Sequence, residues 1–212
     1  MDAKEVMIRS EDFPVLGRSR RLAPKTLAIL NRVSTLIVRR SRTTESLLAE
    51  IGEAELAALP AVVEEACGPD HPELAKVLHK IAVLYHASYS VKKAEATYRK
   101  AVTAAEKAYP LPSLEMGLLL SNFGRLMYEQ RDFREAEGLY LRAVDVLKQA
   151  VGPFHRKLAT PMSNLADLYM DLGDQDLVRA YLQDMIAILE TNLGPYHRKV
   201  AKARGRLAVL GR

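Results

Sequence analysis

The chain has 212 residues, 49% apolar and 27% charged, with 11 Gly and 10 Pro, enough to bury a substantial core as one soluble domain or a short repeat array. A lone cysteine, Cys67, excludes an intrachain disulfide and a cysteine-based zinc site. The formal charge of +5 is uneven: residues 1–42 hold ten Lys or Arg against four acids, and the rest hold 21 against 22.

At the start, Asp2, Glu5, Glu11 and Asp12 argue against a secretory signal or an acid-poor transit peptide. The stretch from Leu27 to Val38 is broken by Asn31 and Arg32 and is too short and polar to cross a bilayer. A cytoplasmic location is therefore the expectation. Pro24 to Arg40 reads as a helix with Leu27, Leu30, Val33 or Ser34, and Ile37 on one face, closed by Arg39, Arg40 and Arg42. Glu45 to Ile51 and Glu53 to Cys67 read as further helices. Residues 1–52 are thus expected to form a basic N-terminal segment whose helices cap the rest of the chain. A membrane-surface helix is an alternative, as is a localisation or nucleic-acid patch at Arg18-Ser19-Arg20-Arg21. The patch has no aromatic residues interleaved, and the chain beyond it is neutral.

From Gly68 onward the chain is periodic. Gly68-Pro69-Asp70-His71-Pro72, Pro110-Leu111-Pro112-Ser113-Leu114, Gly152-Pro153-Phe154-His155-Arg156 and Gly194-Pro195-Tyr196-His197-Arg198 begin at intervals of 42 residues without a gap. A constant period of this size marks stacked supersecondary units. After each segment comes an amphipathic stretch: Leu78 to Tyr85, Leu120 to Met127, Met162 to Tyr169 and Arg204 to Gly211. Apolar residues fall at i, i+3, i+6 and often i+7, which predicts a helix packed on one side. A small residue recurs within it (Ala82, Gly124, Ala166, Ala208), where two helices would approach closely. Polar breaks at 87–90, 130–132 and 172–174 precede a second helix in each unit, running through Lys93 to Ala101, Glu135 to Ala143 and Leu177 to Met185. Each second helix ends near the next Gly-Pro, since Pro cannot continue a helix and Gly accepts a left-handed cap.

These residues predict an all-α fold of antiparallel helix pairs. Leu59, Val63 and Cys67 align with Ala143, Leu147 and Val151, so residues 53–67 match a second helix alone. Units follow at about 68–109, 110–151 and 152–193, with a terminal half-unit at 194–212. That last helix is expected either to cap the array or to continue it in a longer protein. Cys67 is expected to be a buried small apolar residue. His71, His155 and His197 sit in different linkers, too far apart to share a metal, and are expected to cap or order the turns.

The spacing of Ala94, Tyr98 and Ala101 resembles the tetratricopeptide repeat. The 42-residue period, the Gly-Pro-x-His link and Glu135-Ala136-Glu137 before Tyr140 and Ala143-Val144 resemble the longer variety found in kinesin light chains. This resemblance covers about residues 53–212 and implies a right-handed superhelical solenoid whose first helices line a concave groove for a partner peptide. It also implies that Asn122 and Asn164, at one repeat position, bond the backbone of that peptide; an amide can donate and accept whatever the peptide's side chains. Lys80 and Arg206 occupy the same position in the outer copies. Ser121, Ser163 and His79 precede it by one residue, and Arg125 and Asp167 follow it by three. Lys76 completes the expected set. The alternative for the Asn pair is a bridge between adjacent units without a ligand.

No nucleophile elbow, phosphate-binding glycine loop or zinc-hydrolase pair is present in the sequence, so a non-enzymatic role without cofactor, metal or small-molecule substrate is expected. The expected function is a scaffold or adaptor for a protein partner, such as a motor, a cargo or a complex subunit, with self-association through the repeat ends as a further partner class. The rival readings are a recruitment module whose basic leader binds membrane or nucleic acid, and a non-catalytic subunit of an enzyme complex.

Overall fold

The computed structural model describes residues 52–109 and 112–210. The chain divides into two compact units, Met1–Ala108 and Tyr109–Arg212. The helices expected before residue 52, and the capping role given to that segment, lie outside the described residues. All regular structure among the described residues is helical, eight α-helices and one 3-10 turn. The first unit contains α1 (Glu53–Cys67), α2 (Pro72–Ala87) and α3 (Val91–Ala108), with α2 packed on both others. The second contains α4 (Leu114–Glu129), α5 (Phe133–Val151), the 3-10 turn (Arg156–Leu158), α6 (Ala159–Leu172), α7 (Gln175–Leu193) and α8 (Arg198–Val209). There each helix packs on the next, and the first helices α4 and α6 also touch.

The stripes foreseen along the first helices form the core. Leu78, Ile81 and Leu84 in α2, Leu120, Phe123 and Leu126 in α4, and Met162, Leu165 and Leu168 in α6 are all buried. So are Tyr85, Tyr98, Tyr140 and Tyr169. The fourth copy departs from this pattern: Arg204 and Ala208 are exposed and Leu207 is half-buried. Cys67 also departs, being half-buried at the last position of α1.

Packing differs between units through exchanges of volume. A Cβ on Gly124 would lie 2.7 Å from Cδ1 of Tyr140, so the helices meet there through the glycine. One repeat earlier the same positions are Ala82 and Tyr98, both fully buried. A Cβ on Gly117 would lie 2.5 Å from Cγ of Leu147. One repeat earlier that pair is Ala75 and Ala105. In this second pair a larger residue on the second helix is met by a smaller one on the first, as close packing requires.

Three of the linkers share one backbone pattern. Gly68, Gly152 and Gly194 end α1, α5 and α7 with φ of 96°, 88° and 83° and ψ near 159°, a region essentially open only to glycine. Their N–H groups bond back to Glu64, Lys148 and Glu190. Three residues on, His71, His155 and His197 each accept, at Nδ1, the backbone N–H two residues later, at 3.2 Å in every case. Ser113 takes this role for α4, accepting from the Met116 N–H at 3.2 Å. The histidines therefore cap the helices that follow them, satisfying N–H groups that have no partner inside the helix. In the third linker the first turn is 3-10, because Pro161 has no N–H to bond the Lys157 carbonyl.

At the other end of each pair, Tyr89, Arg131 and Gly173, also 42 residues apart, all adopt left-handed backbone with φ of 58°, 62° and 81°. In each case the following N–H reaches back five residues to close the first helix (Ser90 to Tyr85, Asp132 to Met127, Asp174 to Tyr169). Asp132 and Asp174 then cap α5 and α7, accepting from the Glu135 and Leu177 N–H groups at 3.0 Å. Only one of the three left-handed positions carries the residue that adopts this conformation without steric cost. Arg131→Gly should therefore raise stability by about 0.5–1 kcal/mol, after allowing for the greater freedom of glycine in the unfolded chain. Denaturant unfolding of the variant beside wild type measures it.

Candidate functional site

Three of the expected site residues lie on α2 of the first unit. Lys76 Nζ donates to Oε1 of Glu73 at 2.8 Å, and Glu73 is only 2% exposed. The cation is thus engaged in neutralising a buried carboxylate. His79 is half-buried, with its ring 6.2 Å from that of Tyr98. Burial, helped by the charge of Lys80, lowers its pKa from 6.5 to about 4, so the imidazole is neutral at physiological pH. His86, two turns further along α2, contacts the same Tyr98 ring at 6.4 Å. Lys80 is half-buried.

Seven lie in the second unit. On α4, Ser121 is buried, Asn122 half-buried and Arg125 exposed, with its Nε donating to Glu129 Oε1 at 2.8 Å. On α6, Ser163, Asn164 and Asp167 are half-buried. From α8, Arg206 donates through Nη1 to Oγ of Ser163 at 3.0 Å and through Nη2 to Oδ1 of Asp167. The structure therefore brings Ser163, Asp167 and Arg206 together directly. Burial pushes the Asp167 carboxyl up, against the opposing pull of Arg206 and then Lys202. Ser121, expected on the groove side, has its Oγ enclosed without a hydrogen-bond partner among the described residues.

Two further residues belong to this polar edge and were not foreseen. Tyr128 on α4 donates to Oδ2 of Asp171 on α6 at 2.8 Å. Burial and that carboxylate push the phenol up to about 12. They lie three residues past Arg125 and four past Asp167, so extending each site position by one helical turn would have reached both. On the other side of α6, the Tyr169 hydroxyl donates to Glu137 of α5 at 2.6 Å, and its ring stacks on Tyr181 of α7 at 5.6 Å. Among the described residues no cluster of His, Cys, Asp or Glu could hold a metal ion, and no helix is long and apolar enough to cross a membrane.

Antiparallel helix pairs recurring every 42 residues, joined by the same caps and edged by polar first-helix residues, define a helical-repeat protein. The family described as tetratricopeptide repeat matches residues 115–191. The chain carries tetratricopeptide repeats over that span, and its fold is structurally similar to that of kinesin light chain-like repeat proteins. A solved structure of nearly identical TPR-like repeats from a Podosopora anserina kinesin light chain-like protein, in a substituted form, superposes with a TM-score of 0.71 at 16% identity, covering 90% of this chain and 87% of that one. A second structure of those Podosopora anserina repeats gives 0.70 at 17% identity with the same coverage. BtubC (BKLC) from P. vanneervenii gives 0.60 at 17% identity, covering 87% of this chain and 80% of its own. No curated protein matches the sequence. Tetratricopeptide repeat domains are in general protein–protein interaction modules.

The depressed pKa of His79 sets a pH dependence. The folded state binds its proton less well than the unfolded chain, so the stability from the neutral ring is complete above pH 6.5 and is lost as pH falls toward about 4. The loss over that window should be about 2–3 kcal/mol. His79→Gln should flatten the curve there, as read by denaturant unfolding at a series of pH values.

Proposed function

We propose that this protein is a non-catalytic scaffold or adaptor that holds a peptide or helix of a protein partner along the polar side of its first helices. The observation that carries this reading is the set of bonds between successive first helices in the second unit. Tyr128 reaches Asp171 from α4 to α6, and Arg206 reaches Ser163 and Asp167 from α8 to α6. These links hold three polar helix faces edge to edge, with Asn122, Arg125 and Asn164 among them. A partner segment lying across them would meet amides that can pair with its backbone, and charges that select its side chains.

Arg206 and Asp167 largely satisfy each other, so they act as a rigid rail more than as free charges. Arg125 is different. Its pair with Glu129 is an exposed i, i+4 bridge worth about 0.3–0.5 kcal/mol, which a ligand carboxylate can displace at little cost. Partner classes consistent with this surface are a motor, a cargo or a subunit of a larger complex, and the work is non-covalent throughout.

The test is affinity capture with the 212-residue protein, followed by peptide scanning of whatever is captured, with wild type beside an Asn122→Ala/Asn164→Ala variant of unchanged helicity. The reading predicts a peptide whose affinity falls at least about tenfold in the variant. Equal affinity for every captured peptide would contradict the role given to the two amides.

A further inference from the structure

The linkers hold a second pattern that capping does not explain. Three of the four use a glycine for the positive-φ turn, and all four use a histidine or serine for the cap, but the residue just before the cap is free to vary. It is Asp70 in the first linker and Pro112 in the second. In the third and fourth it is Phe154 and Tyr196, which are 62% and 97% exposed. The two residues after the cap change in the same step: Pro72-Glu73 and Leu114-Glu115 become Arg156-Lys157 and Arg198-Lys199, all four exposed.

Neither change serves the fold. Exposed aromatic rings gain nothing from burial, and cations in the first turn of a helix oppose its dipole, where the earlier units keep an acid. Local preference is thus violated twice, at equivalent positions and with the same residue types, which is how functional positions depart from folding logic. The geometry also joins the two turns. Asn192, near the end of α7, donates from Nδ2 to the Phe154 carbonyl at 2.7 Å. That bond ties the third linker to the helix from which the fourth departs, so both aromatic turns lie on one edge of the second unit.

We propose that this edge is a second docking surface, separate from the first-helix face, for an acidic segment of a protein partner carrying apolar side chains. Aromatic residues and arginine are the types that dominate protein interfaces, and four exposed cations select carboxylates. An extended peptide advances about 3.3 Å per residue, so a short acidic segment can lie along an edge that carries both rings.

The test uses the full 212-residue protein and three fluorescent probes: a Glu-rich peptide with leucine at every third position, a twelve-nucleotide oligo(U), and vesicles containing phosphatidylserine. The proposal predicts that the peptide binds best, and that Phe154→Ser/Tyr196→Ser weakens it at least about tenfold. Reversing Arg156, Lys157, Arg198 and Lys199 to Glu should abolish binding while leaving the melting temperature unchanged or higher, because the acids restore the preference of the earlier units. The Asn122→Ala/Asn164→Ala variant should bind this probe as wild type does. Stronger binding of oligo(U) or vesicles, lost on charge reversal, would overturn the partner class. Undiminished peptide binding in both edge variants, or loss only in the double-Asn variant, would overturn the site itself and leave the first-helix reading standing.

Discussion

The structure depends on one constraint, the sharp turn by which α1, α5 and α7 each hand over to the helix that follows. A glycine in backbone space that side chains cannot enter ends one helix, and a histidine three residues later caps the next. Between them the turn has no slack, because the histidine N–H bonds back to the glycine carbonyl at 3.3–3.4 Å. Such a link leaves the two helices little freedom in angle or register. That explains why side chains 39 to 43 residues apart, such as Arg206 with Ser163 and Asp167, meet with bonding geometry. A binding face made of residues from several helices needs this rigidity, since each contact depends on a different element keeping its place.

The helices and their order were legible because both signals are local. Apolar spacing marks the buried stripe, and Gly-Pro marks the break. The histidine caps were legible for the same reason, since they act within two residues. Contacts between units were not. Nothing local distinguishes Arg206, which lies across α6, from Lys80 at the same repeat position, and nothing marks Tyr128 as the partner of Asp171. Ser121 and Ser163 share a position and a residue type, yet one is enclosed and the other receives a guanidinium, because arginine reaches across and the shorter Asn164 occupies that position one repeat earlier. The left-handed Tyr89 and Arg131 were hidden as well; only Gly173 signals that conformation by its identity.

The second unit concentrates the chemistry. Its first helices are bonded edge to edge, its linkers carry exposed rings and cations, and its last helix has five cations and no acid. In α8 the buried positions shrink to Val200 and Ala203, while Arg204 and Ala208, whose counterparts in α6 are buried, lie exposed. Repetition therefore supplies the frame, and the departures from it carry what is particular to this protein. A fold shared at 16–17% identity leaves those departures as the features that can distinguish one repeat protein's partner from another's.

The most direct test of the central constraint compares one substitution at two glycines. Gly152→Ala places a side chain at φ 88°, whereas Gly138→Ala places one on an exposed helix position with nothing within 4 Å. Chemical denaturation should show the first losing about 1–3 kcal/mol and the second gaining up to about 1 kcal/mol. Shifts of the same sign and size at both sites would contradict the view that the glycine turn holds the array in register.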